Sequence, residues 1–324
     1  MSEKVAPRTS TARRLSVAAT CDVVTVVVNY GTPRLTIDCV ESVLTSTGVV
    51  SHVVVVDNAS PDDSVDQLRA KFADDPRVTI VARASNDGYT GGNNAGVRVA
   101  REMGAQYAFL LNSDATVDPQ CIEALVDAAE RDATIALVNP RILIGDTDEL
   151  WFGGARYSPW LGRPAHEIQR HRSLVARDLE FATGCALLVR LDALPGPNSD
   201  LFDASLFAYA EDLDLSRRVR GADRRIRYVP RALVSHFAGS SHADAGGRAL
   251  RFYLSTRNQL RVATRHARWY HWVTLGPMLA IDVVARFAAV TLRDGNPAAF
   301  RAVFRGALHA LTGGKHRIEA ATRQ

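Results

Sequence analysis

The sequence predicts an α/β protein, a mostly parallel sheet with helices on both faces, followed by a helical C-terminal region. Three observations carry this. Between residues 23 and 140, short apolar β-branched runs alternate with amphipathic stretches, the rhythm of βαβ units. From Arg248 onward the strand pattern stops and apolar residues recur at helical spacing. The charge divides along the same line. Residues 245–324 hold 13 Lys and Arg against 3 Asp and Glu, whereas residues 1–244 hold 26 against 32, so a net charge of +4 conceals an acidic body and a basic tail.

Each element has a local reason. Val23–Val28 is long enough for a buried strand, and Arg34–Leu44 reads as a helix with Leu35, Val40, Val43 and Leu44 inward. His52–Val56 is a second strand ending at Asp57. Ser60-Pro61-Asp62-Asp63 has the composition of a helix start, with Ser60 as cap and Pro61 in the first turn. Val78–Val81 is a third strand. A Gly- and Asn-rich loop then leads into a helix over Gly91–Met103, and Tyr107–Leu111 is a fourth strand. Asp118-Pro119 opens another helix, and Ile135–Val138 is a further strand. Residues 141–180 lose periodicity, which suits functional loops on a rigid scaffold. Ala186–Arg190 and Arg227–Val234 are the remaining strands, with a helix over part of Leu206–Arg220 between them.

The composition excludes several classes. At 47 % hydrophobic and 23 % charged residues, the chain is neither globally disordered nor collagen-like. Cys21, Cys39, Cys121 and Cys185 lie far apart with no CxxC pair, which excludes a disulfide-stapled mini-domain and a zinc ribbon and fits a reducing cytosol. Residues 1–22 read as a disordered basic lead-in, because Lys4, Arg8, Arg13 and Arg14 stand among Ser, Thr and Ala without the apolar run of a signal peptide. The most apolar stretch, Gly276–Leu292, is interrupted by Asp282 and Arg286 and does not qualify as a membrane span. In the tail, arginines interleave with apolar stripes, a pattern that suits a surface helix better than a nucleic-acid contact.

Ligands of open α/β sheets bind at the carboxyl ends of the strands. There the sequence places Asn29-Tyr30, Asp57-Asn58, Asn86-Asp87-Gly88-Tyr89 and Asn112-Ser113-Asp114, each straight after an apolar run. The glycine stretch is neither the GxGxxG fingerprint nor a P-loop. Asp114, at a strand end before a turn, is suited to a hard divalent cation held together with phosphate oxygens. Glu211-Asp212-Leu213-Asp214 puts three carboxylates in four residues. If Leu213, Leu215 and Val219 face the core, the acids cannot all pack inward, so the group is either a solvated helix start or a general base in a polar cleft. His236 ends an apolar strand, where a metal-ligand role competes with a structural one.

In order and spacing, these motifs resemble those of the family 2 glycosyltransferases, which have a GT-A fold, and more narrowly their bacterial rhamnosyltransferase-like branch. The resemblance covers about residues 23–262. Val-Val-Asn-Tyr (27–30) is similar to the family's first loop, Val-Val-Asp-Asn-Ala-Ser (55–60) to its base-binding loop, and the run from Asn86 to Gly96 to its Asn/Gly-rich loop. Leu-Leu-Asn-Ser-Asp-Ala (110–115) stands where the DxD motif falls, and Thr183-Gly184 with Ala186–Arg190 resembles the acceptor-side strand. Tyr209 to Leu215 matches the Glu-Asp motif, Tyr228-Val-Pro through His236 the following strand, and Arg257-Asn258 the pair that opens the tail. Two departures stand out. Asn112 replaces the first acid of DxD, and Ser199 to Ala204 replaces the usual Gly-Gly-Phe-Asp-Glu stretch.

The resemblance implies an inverting, metal-dependent enzyme that moves one sugar from a nucleotide-diphosphate sugar, dTDP-rhamnose or a UDP-sugar, to a hydroxyl of a glycan, lipid-linked or other glycoside acceptor. Asp212 would be the base, with Glu211 beside it. Asn29, Tyr30, Asp57, Asn86, Gly88, Asn93, Asn112 and Ser113 would form the nucleotide-sugar site, Asp57 taking the N3–H of a uracil or thymine ring. Trp151, Thr183 and Gly184 would lie on the acceptor side, and Asp114 with His236 would bind Mg²⁺ or Mn²⁺. The expected organisation is a catalytic domain over 23–247, with a nucleotide-binding half at 23–140 and an acceptor-binding half at 141–247, then the basic helical region at 248–324. That region is expected to dock a cytoplasmic enzyme on the anionic inner face of the plasma membrane, or else to serve as a helical cap or homodimer interface. No nucleic-acid partner is expected. The Gln-x-x-Arg-Trp motif of processive synthases is absent. The competing readings are a non-catalytic nucleotide-sugar-binding or scaffold module, and a sugar-1-phosphate nucleotidylyltransferase, which would need a basic Gly-rich loop after the first strand.

Overall fold

The computed structural model describes residues 22–49, 51–166, 174–194, 199–237, 245–293 and 297–313. The expected lead-in therefore falls, but for Asp22, outside the described residues, as do 294–296 and 314–324 of the basic tail.

The first part of the chain forms β1 (Val23–Asn29), α1 (Pro33–Leu44), β2 (Ser51–Asp57), α2 (Ser64–Lys71), β3 (Val78–Ala82), α3 (Gly88–Glu102) and β4 (Tyr107–Asn112). There follow β5 (Ala115–Val117), α4 (Cys121–Glu130), β6 (Ile135–Ile144), β7 (Leu150–Phe152), β8 (Ala155–Ser158), β9 (Arg163–His166), β10 (Arg177–Asp178) and β11 (Ala186–Arg190). The chain then forms α5 (Glu211–Gly221), β12 (Arg225–His236), α6 (Ala245–Arg265), α7 (Trp272–Arg293) and α8 (Pro297–Thr312).

The main sheet runs β10-β12-β6-β11-β4-β1-β2-β3, with β5 on β12 and β7 on β6; β8 and β9 form a separate ribbon. β4, β1, β2 and β3 are mutually parallel, as are β6 and β12, while β11 lies antiparallel between β4 and β6. The chain builds outward from β1 through β2 to β3, then returns across β1 to lay down β4. The strand order therefore reverses between β1 and β4, and such a switch point opens a crevice at the carboxyl ends of those two strands. Asn29 and Asn112 stand there.

The return crossing is made by α3, and its glycines let it lie close. A Cβ at Gly92 would come within 2.7 Å of Val28, and one at Gly96 within 2.2 Å of Val26. The expected Gly/Asn loop is in fact the first two turns of this helix, which begins at Gly88 rather than Gly91. Glycine here serves contact with the sheet, which outweighs its low helix propensity. Two further expectations need correction. Ser60 caps nothing: its N–H and hydroxyl both donate to Asp57, and α2 starts later, after Asp63. The inward face of α1 is Thr36, Cys39, Val40 and Val43, with Leu35 and Leu44 half-buried, because the Thr36 hydroxyl turns in to Asn29 (2.7 Å).

The basic helices are seated on the body. Asp282 of α7, buried, accepts from Arg163 of β9 and from Arg286. Thr274 donates to the carbonyl of Trp160 (2.8 Å), and Gln259 of α6 to that of Gly162. Replacing Gly96 by Ala should lower stability by about 1–3 kcal/mol through overpacking against Val26. Urea unfolding would show a reduced midpoint at an unchanged slope; an unaltered midpoint would mean that α3 does not lie this close to β1.

Candidate active site

The parallel register puts Asn29 beside Asp57 and Val28 beside Asn112, so the strand ends form one edge. On the β1–β2 side, Asp57 is buried and fully engaged. Its Oδ2 accepts from Asn29 Nδ2 (2.7 Å) and Ser60 Oγ (2.6 Å), and its Oδ1 accepts from Ser60 N–H (3.0 Å) and keeps a lone pair. Asn29 is thereby a positioning residue for Asp57, itself fixed by Thr36. Tyr30 stands exposed at the mouth of the same end. Asn58, which sequence reasoning did not single out, laces the next loop. It donates to Asn86 Oδ1 (2.8 Å) and the Gly88 carbonyl (3.0 Å), and Asn86 Oδ1 also accepts from Gly88 N–H (2.9 Å). Gly88 has φ +72°, and a Cβ there would meet the Phe207 carbonyl at 2.4 Å. Asn93 turns back into α3, donating to the Tyr89 carbonyl (2.9 Å).

At the β4 end, Asn112, Ser113 and Asp114 are half-buried in the turn to β5. Pairing of β5 with β12 sets Ala115 opposite His236, and the His236 Nε2 lies 3.2 Å from Asp114 Oδ1. The Trp151 indole packs edge-on against the His236 ring at 4.7 Å, so the expected acceptor-side tryptophan walls this pair. His236 Nδ1 is buried without a hydrogen-bond partner.

Asp212 approaches from the other side. Its carboxylate accepts from Gly184 N–H (3.2 Å) and from the N–H of Leu213 (2.8 Å) at the start of α5. The Gly184 carbonyl accepts from the Tyr89 hydroxyl (2.7 Å). Asn139, a buried amide in the apolar β6, holds Thr183 from both sides: its Nδ2 donates to the Thr183 carbonyl and its Oδ1 accepts from Thr183 N–H. Burial pushes the Cys185 thiol well above its usual range, and the charges of Asp114, Cys39 and Asp212 push it further. The Cys185 carbonyl accepts from Asn112 N–H (2.9 Å), which joins the Gly184–Asp212 side to the β4 end. Thus Asp114, His236, Trp151, Gly184 and Asp212 converge, whereas Asp57, Asn86 and Tyr30 form the neighbouring half of the edge.

The sequence reading holds that the acids of α5 cannot all pack inward beside the leucines; two of the three do, and Asp212 is half-buried between them. Glu211 and Asp214 are buried alongside Leu213 and Leu215. Asp214 is neutralised by groups remote in sequence: Arg218 (2.9 Å), Arg265 (3.1 Å) and His266 (2.9 Å), partners that hold its carboxyl down at about 2 despite burial. Glu211 has no cation, and its Oε2 is buried without a partner. Burial raises both Glu211 and Asp212 above the usual carboxylate range, and the Asp212 charge raises Glu211 further.

A bend in the backbone aims these acids. Phe207, Tyr209 and Ala210 have φ of 65°, 70° and 64°, a region that costs a residue with a Cβ about 1 kcal/mol or more. The Arg257-Asn258 pair of α6 supplies the restraint. Asn258 Nδ2 donates to the carbonyls of Leu206 (2.7 Å), Ala208 (2.8 Å) and Tyr209 (3.0 Å), and Arg257 Nη2 to those of Ser205 and Leu206. The departure at 199–204 is absorbed similarly: Asn94 exchanges two hydrogen bonds with the Phe202 backbone, and Asp203 pairs with Arg265.

A switch-point sheet of this kind is the GT-A glycosyltransferase fold. The chain superposes on the crystal structure of GalNAc-T7 with UDP, GalNAc and Mn²⁺ with a TM-score of 0.60 at 15 % identity, covering 91 % of this chain and 58 % of that one. The family model described as Glycosyl transferase family 2 matches residues 22–194, and the chain belongs to that family. It is 28 % identical over 243 residues to the N-acetylglucosaminyl-diphospho-decaprenol L-rhamnosyltransferase of Mycobacterium tuberculosis, covering 67 % of this chain and 76 % of the relative. It is 26 % identical over 196 residues to the undecaprenyl-phosphate mannosyltransferase of Micrococcus luteus, covering 60 % of this chain and 77 % of the relative.

Two predictions follow from the geometry. Asn258→Ala leaves three carbonyls of a strained turn without their donor and should cost about 1–3 kcal/mol; denaturation at wild-type stability would show that the turn holds itself. The second concerns pH. Glu211 and Asp212 bind protons more tightly folded than unfolded, so stability falls as pH rises from the ordinary carboxylate range, about 4, through their raised range. Glu211→Gln removes one buried ionisation. Its melting temperature should exceed that of the wild type above neutral pH and lose the advantage below about pH 4; a constant difference across the series would contradict the burial cost.

Proposed function

We propose that this glycosyltransferase transfers a single sugar, with inversion, from a nucleotide-diphosphate sugar to an acceptor hydroxyl. The observation that carries the proposal is the chain of contacts linking Asp212 to the β4 end that bears Asp114 and His236: Gly184 N–H donates to Asp212, and the next residue, Cys185, accepts from Asn112 N–H. One displacement needs a base on one side of the anomeric carbon and an assisted leaving group on the other, and these two groups supply them.

Asp212 takes the proton of the acceptor hydroxyl as that oxygen bonds to the anomeric carbon, and the bond from that carbon to the diphosphate breaks. Its raised proton affinity suits a base working near neutral pH. The Gly184 N–H keeps one carboxylate oxygen in place. Glu211, more strongly raised, stays protonated over a wider range, so the two acids do not repel as a double anion. Trp151 and the strand at Thr183 bound the acceptor side. Asn29, Tyr30, Asp57, Asn86, Gly88, Asn93, Asn112 and Ser113 frame the nucleotide side, with the free lone pair on Asp57 Oδ1 available to a base N–H.

Asp114 and His236 would hold Mg²⁺ or Mn²⁺. One carboxylate oxygen and one imidazole nitrogen, 3.2 Å apart, suit a cation that takes its remaining ligands from diphosphate and water, and no group of three or more such side chains occurs among the described residues. When bound, the ion neutralises charge on the departing diphosphate. The neighbour solved with UDP and Mn²⁺ supports this reading. The relative named for L-rhamnosyl transfer to N-acetylglucosaminyl-diphospho-decaprenol supports dTDP-rhamnose or a UDP-sugar as donor and a lipid-linked glycan as acceptor, and an acceptor of that kind would bring the enzyme to a membrane face.

Asp212→Asn should slow transfer by about two to four powers of ten, as loss of a general base does, while nucleotide affinity measured by calorimetry stays within error. Asp114→Ala should abolish the Mn²⁺-dependent part of nucleotide affinity and slow transfer with it. Transfer at the wild-type rate by Asp212→Asn would remove the base from the mechanism.

A further inference from the structure

The C-terminal helices carry apolar surface that the fold leaves uncovered. On α7, Val273, Ile281 and Val284 are exposed on one face, opposite the buried Leu275 and Leu279, with Trp269 (84 % exposed) and Trp272 at its leading end. On α8, Phe300, Phe304, Leu308 and Leu311 are exposed at intervals of four, four and three residues, one side of a helix. The two helices meet where the rings of half-buried Phe287 and exposed Phe300 lie 4.7 Å apart, tilted at 52°. Arg301 and Arg305 are exposed along the α8 edge. Among the described residues of α6, α7 and α8 the only carboxylate is Asp282, buried under Arg163 and Arg286. Among the described residues this surface is therefore apolar and cationic with no exposed acid.

We propose that the joined α7–α8 face docks on the surface of an anionic phospholipid bilayer. Aliphatic and phenyl side chains enter the headgroup boundary, the tryptophans sit at its polar edge, and arginines meet lipid phosphates. A second copy of the chain fits worse. A two-fold contact through this face would set Arg301 and Arg305 against the described residues of the same helices, which expose no carboxylate to receive them. No helix among the described residues is long and apolar enough to cross a membrane, so attachment by this face is peripheral. The proposal rests on the lipid-linked acceptor reading for its purpose only; its evidence is the exposed face. Docking here also has a route to the site, because α6, which packs on α8, carries the Asn258 clamp on the turn before Asp212.

The test is flotation of the full chain with vesicles of phosphatidylcholine containing phosphatidylglycerol, and with phosphatidylcholine alone. The wild type should float with the anionic vesicles, and less so as salt is raised. Ile281→Glu/Phe304→Glu should abolish flotation. Arg301→Ala/Arg305→Ala should weaken partitioning to the anionic vesicles by about 25-fold, two cations at roughly fivefold each, with little change on neutral ones. Calorimetric nucleotide binding with Mn²⁺, unchanged in both variants, shows that they are folded. A full chain that fails to float, a stripe variant that floats like the wild type, or a dimer by light scattering that Phe304→Glu splits would each overturn the docking. A wild type that floats but binds no nucleotide would instead overturn the transferase reading alone.

Discussion

Phe207, Tyr209 and Ala210 hold left-handed backbone in the four residues before Glu211, and none of them is a glycine that would do so freely. The conformation persists because α6 captures four carbonyls of the turn through Arg257 and Asn258, while Thr90 N–H captures that of Phe207 from the other side. Much else depends on this turn. It directs Glu211 and Asp212 into the body, lets Asp214 reach the cations of α6, and closes over Gly88, where no side chain would fit. Backbone strain stored beside a candidate base, with long-range hydrogen bonds that maintain it, is the usual signature of a preorganised site.

The site has two halves with different physics. The nucleotide half is polar and pre-wired. Asn29, Asp57, Ser60, Asn58 and Asn86 spend most of their hydrogen-bonding capacity on one another, so the loops after β1, β2 and β3 behave as one rigid rim. The catalytic half is under-satisfied. Glu211 Oε2 and His236 Nδ1 are buried without partners, and burial leaves Glu211 and Asp212 with raised proton affinity. Unsatisfied groups destabilise a fold unless a ligand uses them, and these two stand beside the proposed base and metal site on the β4–α5 side.

The fold was legible because apolar β-branched runs and the residues that end them are local signals. Val23–Asn29, Ser51–Asp57 and Ala186–Arg190 emerge almost as read. Most of the corrections are long-range. Nothing local shows that Gly88 opens a helix whose Gly92 and Gly96 must face β1, so the start of that helix read as loop. Ser60 has the sequence context of a cap, yet Asp57 competes for its hydroxyl and wins. Asp214 could not be foreseen as buried, because Arg265 and His266 lie some fifty residues on. The turn at 207–210 carries no Gly, Asn or Asp to announce positive φ, and its clamp is equally remote. Asn139 alone left a trace, a lone amide in an otherwise apolar strand.

The central claim is that the strand-end edge around Asp57, Asp114 and His236 is a metal-dependent site for a nucleoside diphosphate. The most direct measurement is a thermal-shift panel of the full chain with UDP, dTDP and GDP and their sugars, each with and without Mn²⁺. A ligand at a hundredfold excess over its dissociation constant stabilises the folded chain by about 2.7 kcal/mol. The account predicts a rise with uridine or thymidine diphosphates that requires Mn²⁺. No rise with any nucleotide, or a rise indifferent to the metal, would contradict it.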